Sequence, residues 1–160
     1  MMQFVPEAVI DEVIAHLEST PEFFENALAE LYQHQPALAS FILSNHEGTF
    51  DEEEHTLLLF MLLVVWKSFE AVNGPQPPVA PGDLEEAEEE NWEILERLPA
   101  SVKKFRERLD VLFESSRQED LLAFVEDALL EDEEEGALPI TREGREPIFV
   151  LMKTVIDCLD

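Results

Sequence analysis

The segment TLLLFMLLVVW, Thr56–Trp66, decides the fold of this chain. It follows the charged stretch DEEEH, Asp51–His55, and its apolar run is far shorter than the roughly 20 residues that span a bilayer. We therefore expect a buried core element and no membrane partner. The acidic flank and a possible capping box of Thr49 and Glu52 predict a helix over about Phe50–Val72. Because this helix is apolar on every side, it must be surrounded by other helices.

The remaining chain shows the same helical pattern. Apolar residues recur at a spacing of three to four within Val9–Leu17, and similar patterns continue along both halves. Thr20–Pro21 and Gln35–Pro36 are typical helix starts, with proline at the first helical position. The stretch NGPQPPVAPGD, residues 73–83, holds four prolines and two glycines and cannot continue a helix. These features predict an all-α fold with about eight helices.

The second half of the chain resembles the first. Three pairs of stretches align in the same order, namely Glu12–Phe24 with Glu93–Phe105, Gln35–Ile42 with Gln118–Val125, and Leu57–Val65 with Ile148–Ile156. The alternative is that any two amphipathic helices can be aligned. The order of the matches favours two pseudo-equivalent four-helix units, 1–72 and 84–160, joined by the proline-rich linker 73–83. We expect them to form one compact domain, with the apolar fourth helix of each unit at the centre.

The second copy departs from the first at three places. Lys153 stands among apolar residues, so we expect its stem to be buried and its ammonium to reach outward to Asp157, four residues on. Pro147 should bend or break the first turns of the last helix. The acidic run Glu131–Glu135 is expected to be a solvated loop.

The charge of the chain limits its partners. Its 160 residues include 37 acidic and 10 basic ones, giving a net charge of −27. Such a field repels nucleic acid and anionic membranes and attracts basic protein surfaces, although it also serves solubility alone. The single cysteine, Cys158, rules out an internal disulfide, and the first residues lack the pattern of a signal peptide. These observations favour a cytoplasmic protein, in which Cys158 acts as a small buried hydrophobe.

One pair of residues is a candidate for a metal site. Glu52 and His55 have the Glu-x-x-His spacing found in di-iron helical bundles, which need two such pairs. The equivalent positions of the second half are Glu143 and Glu146, with no histidine. We therefore interpret Glu52 and His55 as the solvated first turn of a helix and expect no metal and no cofactor.

Two further features bear on partners. Half of the basic residues fall within twelve positions, namely Arg97, Lys103, Lys104, Arg106 and Arg108. We expect this basic face of the sixth helix to neighbour the acidic face of the fifth. Trp92 lies in that acidic fifth helix and is the candidate for a partly exposed aromatic residue at an interface.

These observations favour a non-catalytic helical protein that acts through protein contacts, as an adaptor, a regulator or an assembly factor with a basic partner surface. One alternative is a metal-dependent enzyme whose site is assembled from scattered His, Glu and Asp residues. Another is an acidic mimic of nucleic acid, which requires regularly spaced carboxylates along one ridge of the folded surface.

Overall fold

The computed structural model describes residues 2–43, 52–135 and 142–160, with the side chains of 131–135 and 142–144 left undescribed. The described residues form eight helices and contain no strand, which confirms the all-α prediction. The helices are α1 (Glu7–Ser19), α2 (Pro21–His34), α3 (Pro36–Leu43), α4 (Glu52–Asn73), α5 (Pro81–Glu96), α6 (Phe105–Glu114), α7 (Glu119–Glu135) and α8 (Arg142–Leu159).

Prolines begin three of these helices. Pro21, Pro36 and Pro81 are the first residues of α2, α3 and α5. Proline suits this position because the first amides of a helix have no partner within the helix and its backbone angle is already helical. The predicted start at Thr20–Pro21 is confirmed, although the Thr20 side chain makes no capping hydrogen bond. The predicted capping residue Thr49 lies outside the described residues.

Helix α4 is a core helix. Leu58, Leu62 and Val65 have no exposed surface, and α4 packs against both α1 and α8. Helix α8 contributes a second buried apolar stretch from Ile148 to Ile156, interrupted by polar residues. By length and composition α4 could also cross a membrane, but half of its most apolar window is buried inside the protein. A core helix meets the same criterion, so the absence of a membrane partner stays a prediction.

Helix α8 continues through Pro147, so the proline does not break it, and the predicted bend stays a prediction. One expectation about local structure was wrong. Residues Glu131–Glu135 continue helix α7 and are not a loop. Glutamate has a good helix propensity, which extends the helix beyond its apolar part.

Two buried glutamines hold the extended segments that precede α1 and α5. Gln118 accepts a hydrogen bond from the Val5 amide (2.9 Å) and donates one to the Gln3 carbonyl (3.2 Å). Gln35 accepts from the Val79 amide (2.9 Å) and donates to the Pro77 carbonyl (2.9 Å). Both side chains are fully buried, so their amide groups need these partners within the protein.

The glutamines also tie the two halves of the chain together. Residues 74–80 between α4 and α5 are not helical, so the linker is shorter than the predicted 73–83. One hydrophobic cluster draws buried residues from helices on both sides of it. The two halves therefore share one core, and the division of the helices into two pseudo-equivalent units stays a prediction.

Candidate functional site

The residues proposed for metal lie in the first two turns of α4. Glu52 is exposed and His55 is half-buried. Among the described residues, no group of three or more His, Cys, Asp or Glu side chains is close enough to hold a metal ion. At the equivalent positions, Glu146 pairs with Arg108 of α6, and the side chain of Glu143 lies outside the described set. The expected absence of a metal stays a prediction.

Trp92 is half-buried on α5 and packs against the hydrophobic core. Its indole Nε1 donates a hydrogen bond to Glu88 Oε2 at 3.3 Å, one turn earlier. The ring is thus held against its own helix, and only part of it is open to a partner. Its role as an interface residue stays a prediction.

Two arginines of α6 interact with helices other than α5. Arg108 forms an ion pair with Glu146 of α8, and Arg106 interacts electrostatically with Glu126 of α7. The pair of Arg97 with Glu93 is long, at 3.9 Å, and both side chains are largely exposed. Helices α5 and α6 pack against each other, as expected, but the arginines of α6 interact with acidic residues of α7 and α8.

A buried polar network joins α5 to α8. The Lys153 ammonium donates to Asn91 Oδ1 and to Asp157 Oδ2, each at 2.7 Å. The Asn91 amide in turn donates to Asp157 Oδ2 at 3.1 Å and to Thr154 Oγ1 at 3.2 Å. The predicted pairing with Asp157 is present, but Lys153 is only 2% exposed and does not reach solvent. Asn91 was not predicted from the sequence, and its side-chain oxygen gives the buried ammonium a second hydrogen-bond acceptor beside Asp157.

Burial weakens the acidity of two side chains. It raises the pKa of the Glu126 carboxyl; Arg106 opposes this shift, and Asp127 and Asp110 add to it. Burial, with the neighbouring Asp157, Asp83 and Glu90, raises the pKa of the Cys158 thiol to about 11. The Cys158 Sγ also lies 3.5 Å from the Asp83 carbonyl, to which it can donate. At neutral pH this cysteine is therefore a protonated thiol and a poor nucleophile.

A groove of about 410 Å³ lies where α1, α4 and α7 meet. Its apolar lining comes from all three helices. The large apolar residues are Ile10, Ile14, Leu57, Phe60 and Phe124. All of these except Ile10 are half-buried, so the groove presents apolar surface that no other part of the described chain covers. Surface of this kind, when surrounded by polar residues, is typical of binding sites.

The polar residues of this groove are acidic. Helix α1 contributes Glu7, Asp11 and Glu18, and helix α7 contributes Asp120 and Asp127. Among the described residues that line the groove, none is a lysine or an arginine. The charge here is thus uncompensated, in a protein whose whole field is already negative.

A hydrogen bond from a backbone amide of α1 to a side chain of α7 joins two residues that line the groove. The Glu7 amide donates to Asp120 Oδ2 at 3.0 Å, next to the bond between Val5 and Gln118. The hydrogen bonds of the N-terminal segment therefore set how closely the starts of the two acidic helices approach.

A second cavity differs in its charge. It measures about 310 Å³ and lies between α1, α2 and α4. Its one lysine, Lys67, is already paired with Glu30 at 2.6 Å and with Glu70 at 3.2 Å. Of the two carboxylates that line this cavity, Glu70 is thus paired with a lysine, whereas no lysine or arginine lines the groove.

Sequence reasoning missed the groove. The acidic residues of α1 recur at helical spacing and indicate one acidic edge, but the position of α7 beside α1 has no local signal. Comparison of the chain with protein-family models, with curated proteins and with solved structures finds no match. The function must therefore be argued from the surface of this protein itself.

Proposed function

We propose that the protein acts without catalysis in the cytoplasm, as an adaptor, regulator or assembly factor that binds a basic surface of a partner protein in the groove between α1, α4 and α7. One observation supports this most: apolar lining and uncompensated carboxylates occur together in the same groove. Complementary charge speeds the encounter and selects the partner, while buried apolar contacts slow its release.

The metal-dependent alternative has no cluster in its favour among the described residues. The nucleic-acid mimic has one favourable feature. Helix α5 exposes carboxylates on successive turns, namely Glu85, Glu86, Glu89, Glu90, Glu93 and Glu96. A partner that binds this ridge would offer a groove shaped for nucleic acid, whereas a partner of the α1–α4–α7 groove must also supply apolar side chains. The two proposals therefore predict different contact residues.

Site-specific photo-crosslinking tests the proposal. The photoreactive residue p-benzoylphenylalanine replaces Phe124 in the groove or, as the control, the exposed Tyr32 of α2. The expected result is a cross-linked protein with a basic surface, captured from the native cell only at position 124. Capture at both positions alike would contradict the proposal.

Charge reversal supplies the second arm of the experiment. The groove variant is Asp11→Lys, Glu18→Lys and Asp127→Lys, all of which change exposed residues. The control variant on α5 is Glu85→Lys, Glu89→Lys and Glu96→Lys, which has the same net charge. Capture should be lost in the groove variant and kept in the control. The reverse pattern, with a nucleic-acid-binding protein captured, would favour the mimic.

A further inference from the structure

The carboxylates of the groove have a regular spacing. The inference drawn from this spacing rests on the proposed function and names the kind of ligand that the groove binds. Asp11 and Glu18 on α1 are seven residues apart, and so are Asp120 and Asp127 on α7. Seven residues make about two helical turns, or about 10.5 Å along the axis, so both members of a pair lie on one side of their helix. The groove therefore has two rows of negative charge with the same repeat.

The backbone around the groove favours one kind of ligand. The groove is lined by helices alone, and no strand edge occurs among the described residues. An extended peptide gains much of its affinity from backbone hydrogen bonds to a sheet edge, and none is offered here. A helix needs no such bonds and binds through side chains that follow the same seven-residue repeat.

The size of the groove agrees with a short helix. On α1 its lining runs from Glu7 to Glu18, a length of about 17 Å at the rise of an α-helix. Between the carboxylates of α7 lies Ala123, a small residue that permits close approach of another helix. Leu57 and Phe60 of α4, one turn apart, are placed to receive apolar side chains.

We propose that the groove binds an amphipathic α-helix of about three turns from the partner protein. One face of this helix carries apolar side chains, and lysines or arginines flank that face at seven-residue intervals on both edges. The apolar side chains contact Leu57, Phe60 and Phe124, and the basic residues lie against the carboxylates of α1 and α7. The bound helix thus becomes a fourth helix packed with α1, α4 and α7.

Three synthetic peptides of 18 residues, built from leucine, alanine and lysine, test the proposal. The first peptide has lysines at seven-residue intervals on both edges of its leucine face. The second has the same composition, with the lysines moved to the opposite face. The third is the first peptide with one central residue replaced by proline. Binding is measured by fluorescence anisotropy at physiological salt, and helix formation by far-ultraviolet circular dichroism. The first peptide should bind at least about tenfold more tightly than either other peptide, and it should gain helix on binding.

Matched protein variants locate the binding. Asp11→Asn with Asp127→Asn should weaken the first peptide at least about tenfold, since each row of charge loses one member. Glu85→Gln with Glu89→Gln removes the same charge from α5 and should leave the affinity nearly unchanged.

Three outcomes distinguish a failure of the helical ligand from a failure of the proposed function of the groove. If the proline peptide binds as well as the first, and both are weakened by the groove variant, the helical ligand is wrong while the basic groove partner stands. If spermine displaces the bound first peptide as effectively as further first peptide at the same concentration of positive charge, a small cation is the ligand and the helical ligand is again wrong. If the groove and α5 variants weaken binding equally, both the helix and the groove are overturned.

Discussion

Gln35 and Gln118 make the same pair of hydrogen bonds at two places in the molecule. Each side-chain amide donates to the carbonyl of one residue and accepts from the amide two residues later, in the extended segment before a helix. In both places the donor to the glutamine oxygen is the backbone amide of a valine, Val5 or Val79, which lies two residues before the helix begins. The sequence comparison aligns these two glutamines, so they occupy equivalent positions in the predicted repeat. Each glutamine lies in one half of the chain and holds the segment that leads into the other half.

Replacing either glutamine should destabilise the protein. In Gln35→Ala and in Gln118→Ala one backbone amide and one backbone carbonyl lose the hydrogen bond to a buried side chain, and each loss costs about 1 kcal/mol, or up to about 3 kcal/mol where water cannot replace the bond. Urea unfolding of each variant measures the free energy of unfolding. Gln33→Ala is the matched control, since Gln33 is exposed on α2. A loss below about 0.5 kcal/mol in both variants would show that water replaces these bonds.

The network around Lys153 should behave as one unit. Lys153→Met removes the donor to Asn91 and Asp157, and we expect a loss of about 1–3 kcal/mol because two oxygens lose a hydrogen bond. Asn91→Leu should cost a similar amount. In the double variant the two losses should not add, and a coupling energy of at least about 0.5 kcal/mol is expected from denaturant unfolding. Additive losses would mean that the two side chains are energetically independent.

The apolar stripe of α4 should dominate the stability. Leu62 has no exposed surface, so Leu62→Ala should lower the free energy of unfolding by about 2–5 kcal/mol. Leu62→Met conserves volume and should cost less than about 1.5 kcal/mol. If the alanine variant loses less than about 0.5 kcal/mol, the stripe does not pack as described.

Glu126 should make the protein less stable as it ionises. Because burial raises its pKa in the folded protein, folding favours the protonated carboxyl. The stabilising contribution is present below the ordinary pKa of glutamate and is lost as pH rises through the folded value. Glu126→Gln should therefore raise the free energy of unfolding at neutral pH and change it little in acid. The exposed Glu114→Gln is the control and should show no such difference between the two conditions.

Cys158 should react slowly with alkylating reagents. Its pKa of about 11, against 9.0 for an ordinary thiol, lowers the thiolate fraction at neutral pH by about 100-fold. Alkylation by iodoacetamide, followed by mass spectrometry, should therefore be slow in the native protein and fast after unfolding in urea. Native and unfolded rates within about threefold of each other would contradict the raised pKa.

The periodicity of apolar residues was sufficient to predict the helices. The spacing in α1 and the proline at the start of α2 are local signals, and both have the expected structural result. The pairing of Lys153 with Asp157 was likewise predictable, because side chains four residues apart are neighbours on any helix.

Long-range partners were not predictable in this way. Arg108 pairs with Glu146, which is 38 residues away, and no local rule selects this carboxylate among many. Asn91 appears in the sequence as one polar residue in an acidic helix, and its contact with Lys153 depends on how α5 crosses α8. The groove depends in the same way on the position of α7 beside α1. The periodicity of apolar residues in one sequence shows which face of a helix is apolar, but it does not show which other helix covers that face.

The bond between Val5 and Gln118 also sets an order for folding. These residues are 113 positions apart, so the segment that leads into α1 cannot be held until Gln118 has been synthesised. Closing so long a loop costs entropy that the local contacts within a helix do not. During synthesis, α1 and its acidic residues therefore emerge well before α7, their neighbour in the groove.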